Sequence, residues 1–440
     1  MGPRRVPGSP PWSKPLPQDA EAVVTDAVAR MERYTGSAFA RMLRFMGMTT
    51  LEWEGAGAVV RDVRGDEYVD CGGYGMFFHG HRHPRVVEAV RRQAGELALS
   101  TRLLPNLPQV DLAERLAACA PGDLRYSFFC NSGAEAVEGA LKLARAATGR
   151  TEVLAAADAF HGKTLGALSA SGKPSYRDPF RPLVPGFRHV PFGDAPALAA
   201  AAADAAAAPG GLAAILLEPI QGEAGVVLPP PGYLAAARRL CDEHGALLLF
   251  DEVQTGLGRT GVMFAAEAEG IAPDVMALAK SLGGGVMPLG AFIATPEAWA
   301  PFDEAPFLHT STFGGNPLAC AAGVAGLEAI AEEALVARAA QIGGVLGAGL
   351  QEIAVRHPEA VAAVRGRGLL WGLDLRSEGL GGMVLAGLLE AGVLVVYSLN
   401  RPKVIRVMPP AVATEGQIAF VLEAVERAVR AAAEASAELI

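Results

Sequence analysis

Two hydrophobic rhythms alternate along this chain from Leu107 onward. One is a short unbroken apolar run: "RYSFFC", "EVLAAA", "AAILLEP", "ALLLFD" and "DVMALA". Such runs are too short for a helix and uniform enough to be covered on both faces, so they predict buried strands. The other returns an apolar residue every three or four positions, as in "PQVDLAERLAACA", "AEAVEGALKLARAA" and "GYLAAARRLCDEH". These predict helices. Strands interleaved with helices predict the α/β class, a mostly parallel central sheet with helices on both faces. "APALAAAAADAAAAPGG", Ala195 to Gly211, reads as an exposed Ala-rich helix between strands.

The flanks read differently. Asp19 to Met48 is helical in pattern, and "GAVVRDVRGDEYVDC" alternates around a Gly-Asp turn, which predicts a hairpin. After Gly315 two long helical stretches run to about His357. Two strands in "AVRGRGLLWGLDL", a helix in "MVLAGLLEAGV", a strand in "KVIRVMPPA" and a helix from Glu415 follow. That is an α+β unit. The expected division is a disordered Pro-rich arm over 1–18, an N-terminal segment over 19–75, a large α/β domain over 76–320 and a small α+β domain over 321–440.

Composition narrows the class of partner. The chain has 440 residues, 51% of them hydrophobic, enough for more than one core. The net charge of −9 argues against nucleic acid and anionic membranes as main partners. No apolar run approaches the ~20 residues of a membrane span. The N-terminus has arginines but no apolar core of a secretory signal. Cys71, Cys119, Cys130, Cys241 and Cys320 are scattered with no C-x-x-C pair, which reads as reduced thiols in a cytoplasm.

Two tempting motifs lose to their context. Gly256-Leu-Gly258-Arg-Thr-Gly261 matches the G-x-G-x-x-G of dinucleotide loops. There, however, the strand runs almost directly into the first glycine and a helix opens at the third. Here "DEVQT" intervenes and "VMFAAEAEG" opens a helix poorly. His79, His81 and His83 in "FHGHRHP" suggest a metal, but Gly80 and Pro84 favour a turn and no acid or thiol stands beside them. Structural histidines, and no metal, are expected.

A third constellation is more specific. Asp251 ends an apolar strand, where ligands sit in open α/β sheets. A buried carboxylate there needs a partner, and a protonated pyridine nitrogen is one. Lys280 ends another strand before "SLGGG" and suits a Schiff-base nucleophile. Pyridoxal phosphate needs both groups. "FFCNSGAEAVEGALKLA" adds a strand, a Ser132-Gly133 turn and a helix opening near Ala134, whose free N–H groups and dipole favour a phosphate. Phe160 and His161 follow another strand, where an aromatic can stack on a flat ring. Thr310, Ser311 and Thr312 precede a Gly-Gly-Asn-Pro turn. Singly, each has an ordinary reading: a capping acid, a snorkelling lysine, a capped turn, a core aromatic. Together they point to one cofactor.

"SGAEAVEGALKLAR", "FHGKTLGALS", "LEPIQGEAGV", "LLLFDEVQTGLGRTG", "LAKSLGGGVMPLGA" and "STFGGNPLACAA" resemble the class III aminotransferases among the fold-type I pyridoxal-phosphate enzymes. The likeness runs in order from about residue 20 to 430 and is strongest to members acting on putrescine. It implies that Lys280 holds the cofactor and shuttles the proton, that Asp251 pairs with the pyridine nitrogen and that Gln254 reaches the ring's phenolic oxygen. Phe160 and Val253 would cover the two ring faces, with His161 beside them. Ser132, Gly133 and Ala134 would hold the phosphate. Thr312 would reach the phosphate of a neighbouring subunit, so a homodimer with a shared site is implied, with a tetramer left open. Arg406 in "VIRVMPP" would bind the α-carboxylate of glutamate or 2-oxoglutarate, and Glu223 would pair with it when no carboxylate is bound. The 19–75 segment would pack with the small domain. Two positions depart from the family's commoner pattern: Ala134, often Thr, and Ala224, often Gly.

The expected activity is ping-pong transamination of a terminal primary amine, putrescine or cadaverine, with 2-oxoglutarate, giving an aminoaldehyde and glutamate. Acetylornithine, ornithine, 4-aminobutyrate, an amino-sugar intermediate, or an aminomutase of the same fold stay open as alternatives.

Overall fold

The computed structural model describes residues 3–45 and 47–437. Its centre is a seven-stranded sheet. In spatial order the strands are Tyr126–Cys130, Gly290–Ala294, Val275–Leu278, Leu247–Asp251, Leu212–Leu217, Glu152–Ala156 and Phe187–Val190. Gly290–Ala294 runs antiparallel to both of its neighbours, while the pairings from Val275–Leu278 out to Phe187–Val190 are parallel. The run "LAAILL" is buried at every position, as a strand covered on both faces must be. Helix Gly133–Thr148 covers one face through Ala136, Val137, Ala140, Leu141, Leu143 and Ala144. On the other face Ala195–Ala207 and Tyr233–His244 pack Leu198, Ala202, Leu234 and Ala237 against Leu154, Ile215 and Leu248. The Ala-rich stretch is thus a sheet-covering helix, capped by the Asp194 side chain on the Ala197 N–H.

Two strands of this sheet lie outside the sequence pattern. "FRHV" is too short and polar to register, and "GAFIA" follows a glycine-rich stretch that obscured it. The Asp19–Met48 stretch is two helices, Ala20–Tyr34 and Ser37–Phe45, broken at Thr35-Gly36, where Gly36 takes φ +104°. Glu52–Ala56 adds a strand to the expected hairpin of Val59–Asp62 and Glu67–Asp70, and Val393–Leu394 from far along the chain completes that sheet in parallel with Val69–Asp70. A third sheet, Val361–Arg367, Leu370–Leu375, Arg401–Val407 and Val396–Ser398, is antiparallel.

The Pro-rich arm, expected to be disordered, is packed. Glu67 is fully buried and accepts hydrogen bonds from the Val6 N–H at 3.2 Å and Trp12 Nε1 at 2.7 Å, and from the side chains of Arg5 and Ser9. A buried carboxylate requires such donors, and the arm brings them. The glycine fingerprint opens no helix. Gly258 and Gly261 take φ +92° and +82° in a run of turns, and Arg259 between them is buried. Its guanidinium donates to the carbonyls of Pro409 at 2.7 Å and Gly75 at 3.3 Å, tying three distant segments together. His79, His81 and His83 face three different partners, the Gly326 carbonyl at 3.0 Å, Asp70 at 2.8 Å and Glu333 at 3.1 Å. No described helix is long and apolar enough to cross a membrane.

Candidate active site

The parallel strands end on one side of the sheet, and the segments leaving those ends surround a cavity of about 510 Å³. It is lined by Ser132, Gly133 and Ala134 after one strand, Phe160 and His161 after the next, and Glu218 and Glu223 after the third. Asp251, Val253 and Gln254 come from the fourth strand and Lys280 from the fifth. Ten of the twelve residues expected from the sequence thereby meet in one place. Arg406 lies behind Glu223 and is wholly buried, and Thr312 stands exposed outside the lining.

Strand alternation separates the two acids of "FDEV". Asp251 faces the cavity, where Oδ2 meets His161 Nδ1 at 2.8 Å and Oδ1 accepts from the Val253 N–H at 3.0 Å. Glu252 turns away and accepts from Thr255 and from the Ala266 N–H at 2.9 Å. Burial pushes the Glu252 carboxyl up to about 7. Burial works against the His161 imidazolium as well, but the Asp251 carboxylate outweighs it and raises that ring above its ordinary value.

Lys280 adopts φ +48°, a conformation a side chain pays to hold, on leaving the Val275–Leu278 strand. Burial lowers its ammonium below the usual range, against the opposing pull of Asp251 and Glu223. A lowered value favours the free amine that a carbonyl requires.

At the start of helix Gly133–Thr148 the Ser132 hydroxyl caps the Glu135 N–H at 3.2 Å and the Ser132 carbonyl accepts from Ala136 at 3.1 Å. Gly133 and Ala134 N–H groups stay outside the helical ladder and point where an anion is favoured. The Ala134 methyl packs against Gly162, so this position carries a close contact where a hydroxyl would be a further donor.

The residues fit pyridoxal phosphate on a second count. His161 Nε2 and Gln254 Nε2 are buried with no partner. Polar atoms buried in that state await a ligand or a water. Gly222 supplies the close approach, since a Cβ there would overlap Gln254 Oε1.

Glu223 and Arg406 form a buried pair at 2.6 Å between Oε1 and Nη1. They come from opposite parts of the chain, the segment after Leu212–Leu217 and the strand Arg401–Val407. The loop holding Glu223 is strained, with Val226 at φ +53° despite its branched side chain. Several members of the site had no clear sequence signal. Glu218 accepts from the Phe160 N–H at 3.2 Å and the Gly222 N–H at 3.3 Å, and burial pushes it up to about 7. Met76 and Phe77 reach the cavity from the N-terminal segment. The glycines flanking Tyr74 were the one hint of that turn.

A family model described as aminotransferase class-III matches residues 46–429. Among solved structures, the ornithine aminotransferase from Toxoplasma gondii ME49 superposes with a TM-score of 0.86 at 33% identity, over 93% of this chain and 96% of that one. A second structure of that enzyme shows partial occupancy of pyridoxal phosphate at its active site. The acetylornithine aminotransferase from Elizabethkingia anophelis gives a TM-score of 0.76 at 31% identity, over 90% of this chain and 99% of that one. A thermostable omega transaminase engineered for asymmetric synthesis of bulky amines gives 0.83 at 28% identity, over 90% and 96%. Pyridoxal phosphate is the cofactor.

Proposed function

This chain belongs to the class III aminotransferases, and we propose that within that family it moves the amino group of a terminal primary amine, putrescine first and cadaverine next, to 2-oxoglutarate. When bound, the cofactor provides a carbonyl for the amine and a ring that accepts the electron pair released with the Cα proton. Lys280 binds that carbonyl between turnovers, and its freed amine takes and returns the proton. Asp251, oriented by His161, keeps the ring nitrogen charged, which strengthens the electron sink. Phe160 and Val253, which both line the cavity, would hold the ring.

The observation that carries the donor assignment is the Glu223–Arg406 pair. Closed at 2.6 Å, it pairs the Arg406 guanidinium with a carboxylate and suits an amine carbon that bears no carboxylate. Opened, it exposes a guanidinium able to grip the α-carboxylate of 2-oxoglutarate with two parallel hydrogen bonds. Glutamate formation over a panel of amines tests this. Putrescine and cadaverine are expected to lead, and absence of glutamate from both would end the assignment.

One observation favours a second reading, ornithine or acetylornithine as donor. Lys163 is exposed, 3.6 Å above the Tyr176 ring and 6.0 Å from that of Phe160. A cation at this rim suits a donor with a distal carboxylate, and two structural relatives carry those names. Lys163→Ala separates the two, since only a carboxylated donor loses affinity.

We read the active unit as a cytoplasmic homodimer. The 97–107 and 307–315 segments carry exposed Leu103, Leu104, Leu107, Phe307 and Phe313, and Asn106 Nδ2 joins them through the Gly315 carbonyl at 3.1 Å. That apolar surface beside Thr312 supports a shared site. Light scattering of the purified protein tests it; a monomer at micromolar concentration excludes it.

A further inference from the structure

The turn Leu399-Asn400 joins the strands Val396–Ser398 and Arg401–Val407, the second of which carries Arg406. It also grips Glu223. The Leu399 N–H donates to Glu223 Oε2 at 2.8 Å, the oxygen that Arg406 leaves free, and the Asn400 N–H donates to the Glu223 carbonyl at 3.1 Å. The turn is itself pinned from a third part of the chain. Asn400, 3% exposed, donates through Nδ2 to the Asp158 carbonyl at 2.6 Å, and Asp158 holds φ +59°. Lys173 Nζ donates to the Asn400 carbonyl at 2.8 Å and the Tyr176 hydroxyl to the Leu399 carbonyl at 3.0 Å. On the far side of the loop Arg365 donates to the Gly225 carbonyl at 3.0 Å.

We propose that the Leu399-Asn400 turn is a positioning element that latches Glu223 onto Arg406 and so sets the balance between the amine and the oxoacid in one cavity. The proposal rests on the reading of Arg406 as the carboxylate site. A carboxylate must compete with a glutamate held at both oxygens and at its backbone, not with a free side chain. When Arg406 is released, the Leu399 N–H keeps Oε2, so Glu223 turns about a fixed point and returns to it. The donor chemistry selected by the closed state is an uncarboxylated primary amine.

Asn400→Ala removes the pin to Asp158 and leaves the backbone donors in place, and Tyr176→Phe removes a second pin without a cavity. Two quantities decide the matter: calorimetric binding of glutarate, an unreactive dicarboxylate, to the holoenzyme, and the amine concentration that half-bleaches the visible band of the cofactor. Losing one net hydrogen bond from the latch is expected to tighten glutarate about three- to tenfold and to raise the half-bleaching concentration of putrescine, with Tyr176→Phe moving both the same way by less. Unchanged glutarate binding in both variants, or loss of glutarate and amine affinity by one common factor, overturns the latch. Arg406→Ala serves as reference. Glutarate binding that survives Arg406→Ala overturns the carboxylate reading together with the latch, whereas Arg406-dependent binding indifferent to Asn400 overturns the latch alone.

Discussion

Asp251 Oδ2 meets His161 Nδ1 at 2.8 Å, with both side chains buried and 90 positions apart along the chain. The contact orients the His161 ring and holds the Asp251 carboxyl at the end of its strand. It would therefore act on the cofactor through Asp251. Replacing His161 by Ala removes a hydrogen bond to a charged group, worth ~1.5–3 kcal/mol, or about ten- to a hundredfold. The expected result is weaker cofactor retention with an unchanged fold. Retention on dialysis equal to that of the unaltered protein would show that the contact does not matter.

Gly222→Ala is expected to weaken the cofactor site from a different direction. The new methyl would displace Gln254 Oε1, and overpacking of this kind costs ~1–3 kcal/mol. Titration of the apoprotein with pyridoxal phosphate reads the loss. Gln254→Ala in the same background should add little, because both changes remove one contact.

Arg406→Ala and Glu223→Gln are predicted to part company. The first strands a buried carboxylate, a loss of ~3–5 kcal/mol, and would remove the grip proposed for 2-oxoglutarate. The second keeps shape and frees the guanidinium. Return of the cofactor band with 2-oxoglutarate should slow at least a hundredfold in Arg406→Ala and persist in Glu223→Gln. Equal slowing in both would contradict the gate.

Two buried carboxyls predict a pH effect on the apoprotein. Glu218 and Glu252 hold their protons to about 7 when folded, against 4.5 ordinarily. Between those values the folded form binds more protons than the unfolded one, so stability falls as pH rises through the window. Glu252→Gln keeps an acceptor for Ala266 and removes one ionisation. Scanning calorimetry between about pH 4.5 and 7 should show a shallower decline in that variant; parallel curves would refute the assignment.

The N-terminal arm is expected to contribute stability. Deleting it through Pro17 takes the Val6, Ser9 and Trp12 donors from Glu67 and uncovers the carboxylate, a loss of ~1.5–3 kcal/mol for hydrogen bonds to a charged group. Glu67→Gln should recover part of the lost melting temperature in the truncated chain and none in the full one.

Local sequence pattern was enough for the alternation of strands and helices, the Ser132 cap and the acid and lysine at strand ends. Those features follow from residue-by-residue burial and from backbone groups that neighbours must satisfy, which periodicity and turn chemistry express directly. Even the false dinucleotide signature was legible as such, because the spacing from strand to glycine is a local quantity. Contacts between distant segments were not legible. Nothing in "GLGRTG" announces that Arg259 will reach Gly75 and Pro409, nothing in "PGSPPW" that Glu67 will hold the arm, and nothing in "SLNR" that a two-residue turn will hold Glu223. Each depends on which strand lies beside which and how loops from separate parts of the chain meet. Sheet order and packing settle that, so only the tertiary structure decided how Asp251, Lys280 and the Glu223–Arg406 pair are held.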